Sequence, residues 1–315
     1  MPPLRNFGCS APVINANMLL FLFLLLPFSF SLSERTYTLR VDGCGEQEYT
    51  LSELEGIRDS QKDVWEELGT EQPWWSVLSS SENAGKRDLA GDELASFYAS
   101  GDLLVSRALR TVDSVISDRN FLPWTSGGVG AVAVDFGCGV GRLSKALAQR
   151  FFSVLCVDHS RRHLDAGRIA LEKNDKSVAE RVLMVHSTKA AADIENKAQF
   201  ALSALALQHM IPQLQAAALE HLCDSLKITG TGFLQLLTHY DDAPYVTAGC
   251  DPQRAIAEPG MHLHYLPLNE AIRHLHLRGC DTLHTEVCDD FVTIPQRNSS
   301  AHCLVFLKAR TSSLD

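Results

Sequence analysis

The second half of the chain alternates between short apolar runs and longer amphipathic stretches. From residue 129 onward, apolar runs of strand length are separated by segments whose apolar residues lie three and four positions apart. The pattern predicts strands at 129–136, 153–158, 182–186, 200–206, 232–238, 282–288 and 301–307, and helices at 142–151, 161–174, 212–226 and 267–278. Because strands that alternate with helices form parallel sheets, we expect a mostly parallel sheet with an antiparallel final pair.

Residues 34–125 have a different pattern. They are charged, carry apolar residues at helical spacing and are interrupted by Gly, Pro and Ser clusters at 69–73 and 79–85. Within this region, residues 92–116 form an amphipathic helical pattern. We predict a helical cap over residues 34–125 rather than a second sheet domain, followed by the main domain at 126–315.

A glycine-rich turn follows the first strand of the main domain. The strand contains Asp135, and Gly137, Gly139 and Gly141 come directly after it. Glycines allow a sharp turn that brings backbone N–H groups against a ligand, and an acid at the end of the next strand, Asp158, can bind ribose hydroxyls. The spacing is not G-x-G-x-x-G, which disfavours NAD, although another nucleotide fold using the same turn remains an alternative.

The G-x-G-x-G loop with its preceding acid resembles the first motif of class I S-adenosylmethionine-dependent methyltransferases. Residues 200–212 resemble the fourth strand of that family and the Gln-His-hydrophobic-Pro turn after it. Residues 65–69, 73–79 and 97–101 are similar to the helical N-terminal part of its small-molecule-type members. The resemblance covers most of residues 62 to 309. It implies an α/β, Rossmann-like, seven-stranded, mostly parallel sheet with an N-terminal helical cap, and S-adenosylmethionine as the cofactor.

The resemblance also implies a set of cofactor-binding residues. Asp135 would act on the methionine amino group through the loop backbone or water. Asp158 would accept hydrogen bonds from the ribose, with a helix cap as the alternative, and His159 would lie beside the adenine. The predicted cofactor-binding residues are Asp135, Gly137, Cys138, Gly139, Gly141, Asp158, His159, Ser187, Thr188 and Gln208.

Two positions depart from the family pattern. The third strand ends in His186-Ser187-Thr188, where relatives commonly carry an acid that binds the adenine amino group. A hydroxyl of Ser187 or Thr188 could accept that hydrogen bond. Gln199 stands where an acid usually opens the fourth strand. These departures leave open a degenerate member of the fold that acts as a binding or regulatory module.

His209 is the candidate catalytic residue. It follows the fourth strand at the carboxyl edge of the sheet, where ligands of open α/β sheets bind. Transfer of a sulfonium methyl group depends mainly on positioning, and a base is needed only when the acceptor must lose a proton. A neutral imidazole could take that proton. A helix-capping or cofactor-contacting histidine is the alternative.

The charge balance constrains the acceptor. With 28 Lys and Arg against 38 Asp and Glu, the formal net charge is −10 and no basic run is present. Nucleic acid is therefore disfavoured, and we expect a small-molecule acceptor, with a protein or glycan side chain as the alternative. Six of the 12 histidines lie between 262 and 302, but without metal-ligand spacing, so no metal site is predicted.

Residues 1–33 resemble a targeting segment. An apolar run at 18–26, followed by small residues up to Ser33, is typical of a signal peptide or signal anchor. It predicts a secretory, endomembrane or organellar route and membrane association through residues 18–33. A start at Met18 would keep the apolar segment. The nine cysteines are an odd number, and we expect Cys138 and Cys156 to be buried thiols, without a disulfide framework.

Overall fold

The computed structural model describes residues 36–41, 45–117, 130–187, 194–241, 250–251, 260–288 and 298–309. The predicted targeting segment at 1–33 and Thr188 lie outside these residues. Within the described ranges, no helix has both the length and the apolar character needed to cross a bilayer.

From residue 129 onward, the strands and helices follow the predicted order. The strands are β1 (Thr36–Val41), β2 (Gly45–Thr50), β3 (Val132–Phe136), β4 (Ser153–Asp158), β5 (Val182–His186), β6 (Ala198–Ser203), β7 (Leu226–Tyr240), β8 (Cys280–Val287) and β9 (Ser299–Lys308). The helices are α1 (Leu51–Ser60), α2 (Lys62–Glu71), α3 (Gly91–Ser117), α4 (Arg142–Ala148), α5 (Arg161–Asn174), α6 (Lys176–Ala179), α7 (Pro212–Ser225) and α8 (Leu268–Leu277). A short 3₁₀ turn, Leu207–His209, follows β6.

Seven strands form one sheet in the order β5-β4-β3-β6-β7-β9-β8. Strands β3 to β7 are parallel to their neighbours, whereas β9 is antiparallel to both β7 and β8. The predicted fold and its antiparallel final pair are therefore confirmed. In the sheet, β4 and β5 lie on one side of β3, and β6 lies on its other side. The strand order therefore reverses between β3 and β6. Ligands of open α/β sheets bind at such points.

Apolar helices cover both faces of the sheet. On one face, α3 and α4 pack through Val105 and Leu147 against Phe233 of β7. On the other face, α7 packs through Leu219 and meets Leu234, the next residue of β7. Successive strand residues point to opposite faces, so one buried strand contributes to both halves of the core.

The cap begins with a hairpin, which corrects the expectation of a purely helical cap. Strands β1 and β2 pair antiparallel, from Thr36 opposite Thr50 to Val41 opposite Gly45. The alternate residues Tyr37, Leu39 and Val41 of β1 are buried. This period of two is a strand pattern, and the surrounding charged residues obscured it in the sequence. The hairpin packs against α7, where the Tyr37 hydroxyl lies 2.8 Å from Nε2 of His221.

The cap helix α3 packs directly on α4 of the main domain, and one glycine makes this close approach possible. A Cβ at Gly101 of α3 would lie 2.3 Å from the carbonyl oxygen of Arg142 at the start of α4. Heavy atoms do not approach that closely without overlap, so only glycine fits here. The contact fixes α3 against the beginning of α4, next to the glycine loop.

The cysteines that the structure describes are disulfide-bonded, so the expectation that Cys138 and Cys156 are buried thiols, without a disulfide framework, is wrong. Disulfides join Cys138 to Cys156, Cys223 to Cys280 and Cys288 to Cys303, and Cys250 is also disulfide-bonded. The Cα atoms of the three pairs are 5.4, 6.0 and 5.8 Å apart, within the usual bridging range. An odd count of cysteines does not reveal which strands become neighbours, and here neighbouring elements bring the partners together.

Candidate active site

A cavity of about 440 Å³ opens at the carboxyl ends of β3, β4 and β6. It is lined by the glycine loop, by the residues that follow β4 and β5, by the 3₁₀ turn after β6 and by cap residues that include Trp65, Ser76 and Val77. The volume lies within the range of small-molecule sites. The cap therefore forms one wall of the cavity over the carboxyl edge of the sheet.

The glycine loop turns directly under the cap. Gly137, Gly139 and Gly141 all have positive φ, at 73°, 54° and 77°. The N–H of Gly137 donates to the carbonyl of Val157 at 2.8 Å, which holds the loop against the end of β4. A Cβ at Gly139 would lie 2.3 Å from Cγ2 of Val77. Side chains are therefore excluded at this turn by conformation and by the cap.

Asp158 joins the glycine loop to the next helix. Its Oδ2 accepts the N–H of Gly139 at 2.8 Å, and its Oδ1 accepts the N–H of Ser160 at 2.9 Å. Ser160, rather than Asp158, provides the side-chain cap of α5, because its hydroxyl accepts the N–H of His163. A carboxylate can accept about four hydrogen bonds, so Asp158 retains capacity for ligand hydroxyls in the cavity it lines.

Asp135 is a buried carboxyl group at the end of β3. It is 1% exposed, and its Oδ2 accepts a hydrogen bond from the Ser144 hydroxyl at 2.6 Å. Burial raises the pKa of Asp135 to about 7, although Ser144 and the positive charge of Arg142 oppose the rise. A cationic group in the cavity would favour the ionised form of this residue.

Arg142 also lines the cavity, and the sequence analysis did not identify it as a site residue. It is the first residue of α4 and is 3% exposed. Its Nη1 donates to the Ser100 hydroxyl at 3.2 Å, whereas its buried Nε has no hydrogen-bond acceptor among the described residues. Burial lowers the pKa of Arg142 to about 10, with Asp135 opposing the change. The only signal in the sequence was its position after the third loop glycine.

His159 and Ser187 lie together after β4 and β5. Nδ1 of His159 lies 3.3 Å from the Ser187 hydroxyl, and both residues line the cavity. Burial lowers the pKa of His159 to about 4, and the nearby Arg58 charge adds to the effect. The imidazole is therefore neutral at pH 7, with a flat ring suited to stacking beside a nucleobase.

His209 is oriented by a backbone group. Its Nδ1 lies 3.1 Å from the carbonyl oxygen of His262. A carbonyl only accepts hydrogen bonds, so this contact assigns the proton to Nδ1 and a lone pair to Nε2. Burial lowers the pKa of His209 to about 4, against the opposing effect of the His262 carbonyl. The edge of Trp65 packs against the ring at a centroid distance of 5.4 Å.

Two helix faces extend the cavity beyond His209. Leu51, Glu55 and Arg58 line it from α1, and Leu214, Ala217, Ala218 and His221 line it from α7. Both sets have helical spacing, so each occupies one face of its helix. We call this part of the cavity the α1–α7 slot. Sequence reasoning missed it, because the slot requires a cap helix and a core helix to lie opposite each other.

Most predicted site residues meet in the cavity. Those in its lining are Asp135, Gly137, Cys138, Gly139, Asp158, His159, Ser187 and His209. Gly141 and Gln208 are not among the lining residues: Gly141 is the N-cap residue before α4, in a left-handed conformation, and the carbonyl of Gln208 accepts the N–H of His264 at 2.7 Å. Gln199 has a role within the sheet, where its Oε1 accepts the N–H of Val132 at 2.7 Å.

Among the residues that the structure describes, no cluster of three or more His, Cys, Asp or Glu side chains could hold a metal ion.

Comparisons with known proteins agree with this architecture. Residues 133–230 match the family model described as a methyltransferase domain. The structure of geranyl diphosphate methyltransferase in complex with GPP and sinefungin has a TM-score of 0.52 at 10% identity and covers 80% of this chain and 100% of that chain. The cyclase SpnF has a TM-score of 0.50 at 15% identity and covers 79% and 97%.

Magnesium protoporphyrin IX methyltransferase (ChlM) from Synechocystis PCC 6803, with bound SAH, has a TM-score of 0.48 at 17% identity and covers 79% of this chain and 100% of that chain. No curated protein matches the chain.

The sheet order, the glycine loop and the acid after β4 define the class I methyltransferase fold. Residues 133–230 of this fold match the methyltransferase-domain model, so S-adenosylmethionine is the cofactor against which the site is compared. The described residues fit this cofactor: the loop offers space without side chains, Asp158 has acceptor capacity, and a buried carboxyl and guanidinium face the same cavity.

Proposed function

We propose that this protein transfers the methyl group of S-adenosylmethionine to a small-molecule acceptor. The observation that carries the proposal is a single cavity that joins the glycine loop, His209 and the α1–α7 slot. Donor and acceptor must share one space, because in-line displacement requires the nucleophile and the methyl group to be held in register. When bound, the cofactor supplies a methyl group already activated by its sulfonium centre.

The residues around the glycine loop would hold the donor. Asp158 would accept hydrogen bonds from the ribose hydroxyls, and His159 with Ser187 would lie along the adenine. Asp135 would favour the ammonium group of the methionine end, since a nearby cation stabilises a buried carboxylate.

His209 would orient or deprotonate the acceptor. The His262 carbonyl leaves Nε2 as the basic nitrogen, and the low pKa keeps the ring neutral at pH 7. A nucleophile becomes strongly acidic as it gains the methyl group, so a weak base is sufficient to accept its proton. The neighbouring Trp65 limits rotation of the imidazole.

The α1–α7 slot would bind the acceptor. Its apolar lining residues are Leu51, Leu214, Ala217 and Ala218, and its polar lining residues are Glu55, Arg58 and His221. A largely apolar slot between two helices favours a compact molecule over a polymer. The fold comparison includes a protein named as a geranyl diphosphate methyltransferase, which is consistent with a small acceptor.

The experiment that tests the proposal uses two measurements on one preparation. Isothermal titration calorimetry with S-adenosylhomocysteine measures donor-site binding, and labelled S-adenosylmethionine added with fractionated small-molecule extracts reports transfer of label. We expect binding and a labelled low-molecular-weight product. Absence of binding by a folded sample would overturn the proposal. Binding with label incorporated only into protein or glycan would show that the acceptor is a macromolecule and not a small molecule.

Methyl transfer is not the sole activity on this fold, as SpnF is named a cyclase. Binding of S-adenosylhomocysteine without release of labelled methyl groups to any extract fraction would favour a binding or non-transferring role for this chain.

We also propose that the protein matures in an oxidising compartment. Support comes from the pairing of Cys138, Cys223 and Cys288 with their partners and from the targeting pattern at residues 1–33, because stable disulfides are rare in reducing compartments. Alkylation of free thiols before and after reduction, read by mass spectrometry on protein from its native source, should show these cysteines protected. Full alkylation without reduction would contradict this proposal.

A further inference from the structure

Asn298 begins a tripeptide that the proposed function leaves unused. Asn298-Ser299-Ser300 has a serine two positions after the asparagine and no proline between them, and it is the one tripeptide of this kind in the full sequence. The pattern is the acceptor sequence for asparagine-linked glycosylation. A pattern this short also arises by chance, so the place of Asn298 in the fold and the compartment of the chain decide whether it is a modification site.

Asn298 lies at the surface, directly before β9. The residue is exposed, and Ser299 and Ser300 after it are half-buried at the beginning of the strand. The backbone carbonyl of Asn298 accepts the N–H of Asp241 at 3.2 Å, which fixes the chain at this point. An oligosaccharide is bulky and polar, so it requires a surface position. The amide of Asn298 can carry one without displacing any part of the core.

The position of Asn298 in the sheet keeps it apart from the donor site. Ser299 lies opposite Tyr240, the last residue of β7. Because β7 is parallel to β6, its last residue lies at the carboxyl edge of the sheet, where the cavity also opens. Asn298 is not among the described residues that line the cavity. A glycan at this position would stand on the same edge as the cavity and leave its lining unchanged.

The disulfides support exposure of Asn298 to the machinery of glycosylation. The bond between Cys288 and Cys303 spans the tripeptide in the sequence. Stable disulfides form in the oxidising lumen of the secretory pathway, which is also where asparagine-linked glycans are attached. The targeting pattern at residues 1–33 points to the same route. The tripeptide, its exposure and the disulfides are separate observations with one common explanation.

We propose that Asn298 is a site of asparagine-linked glycosylation. The inference rests on the oxidising compartment proposed above and is independent of methyl transfer. A lipid-linked diphosphate oligosaccharide would be the sugar donor. Transfer forms a bond between the side-chain nitrogen of Asn298 and C1 of the first sugar and breaks the bond between that sugar and phosphate. The amide loses one proton, and the lipid diphosphate leaves.

The first test uses full-length protein from its native source. Treatment with a peptide N-glycosidase in water labelled with heavy oxygen should convert Asn298 to labelled aspartate in most copies, as read by peptide mass spectrometry, and should lower the mass of the chain. Unmodified Asn298 in protein whose cysteines are disulfide-bonded would overturn the inference and leave the proposed compartment standing. Unmodified Asn298 together with free cysteines would overturn both.

Variants of the full chain expressed in the same cells provide the second test. Asn298→Gln and Ser300→Ala should each abolish the mass loss on glycosidase treatment, whereas Ser300→Thr keeps the required hydroxyl and should retain it. Asn269→Gln is the matched control, because Asn269 is exposed and is followed two positions later by alanine. A mass loss that persists in Asn298→Gln, or that disappears in Asn269→Gln, would overturn the assignment to Asn298.

Discussion

The carboxylate of Asp158 accepts the backbone N–H of Gly139, with 2.8 Å between Oδ2 and the nitrogen. Its other oxygen accepts the N–H of Ser160. One side chain therefore fixes the glycine loop relative to the start of α5. Asp158 both holds the glycine loop in place and lines the cavity that would bind the donor. Its substitution should therefore affect folding and binding together.

Asp158→Ala should weaken S-adenosylhomocysteine binding by at least tenfold, because a charge-assisted hydrogen bond is worth about 1.5–3 kcal/mol. The variant should also unfold at a lower temperature in the absence of ligand, since Gly139 and Ser160 lose their acceptor. Calorimetry and thermal unfolding measure the two effects. Asp165→Ala is the control, because Asp165 is exposed and forms a surface ion pair with Arg168 at 3.7 Å. Unchanged affinity in Asp158→Ala would reject the ribose role.

His209→Ala should lower kcat by about 10²–10⁴-fold if the acceptor loses a proton during transfer, with little change in donor affinity. Initial rates and calorimetry separate the two quantities. His276→Ala, at an exposed position on α8, serves as the control. Equal losses of turnover and donor affinity would place His209 in the binding site alone.

The pH dependence of turnover should reflect the burial of His209. Its pKa is about 4, so the neutral base persists well below pH 6.5 and is lost only as the pH falls through about 4. With saturating donor and acceptor, kcat should therefore stay level from pH 7 down to about 5. A decline centred near 6.5 that disappears in His209→Gln would show that the imidazole titrates as an exposed histidine.

Donor affinity should rise with pH because of Asp135. The pKa of Asp135 is raised to about 7 by burial, above its ordinary value, so the folded protein loses stability as pH rises through 7 and the carboxylate ionises. A ligand ammonium group favours that ionised form. Affinity for S-adenosylhomocysteine should increase between pH 5.5 and 7.5, and Asp135→Asn should bind weakly with a flat profile. The same rise in the variant would assign it to another group.

Gly101→Ala should destabilise the protein by about 1–3 kcal/mol, because the added methyl group meets the Arg142 carbonyl at 2.3 Å and overpacking carries a cost of this size. Denaturant unfolding measures the change. Gly56→Ala on α1 is the matched control, since among the described residues no atom outside its own stretch of helix lies within 4 Å of the added Cβ. That variant should gain about 0.5–1 kcal/mol from helix propensity. A neutral Gly101→Ala would show that α3 shifts freely on the core.

Local signals were sufficient for much of the fold. The bounds of β4, α5 and β5 follow from apolar runs and helical spacing, and they agree with the structure residue by residue. The start of β7 was not predicted correctly: the sequence pattern places the strand at 232–238, whereas it begins at Leu226, directly after α7. The next three residues, Lys227 to Thr229, are exposed. These first residues of the strand lack the alternation of buried and exposed positions on which sequence-based assignment depends.

The sequence by itself determined the sheet, the glycine loop and the position of Asp158, since these depend on residue types and spacings within short stretches. Only the tertiary structure decided that Cys138 pairs with Cys156, that Arg142 is buried beside Ser100, and that α1 faces α7 across a slot. Each of these depends on which elements become neighbours when the cap docks on the core. That docking is governed by shape and close approach between segments far apart in the chain, which no local pattern records.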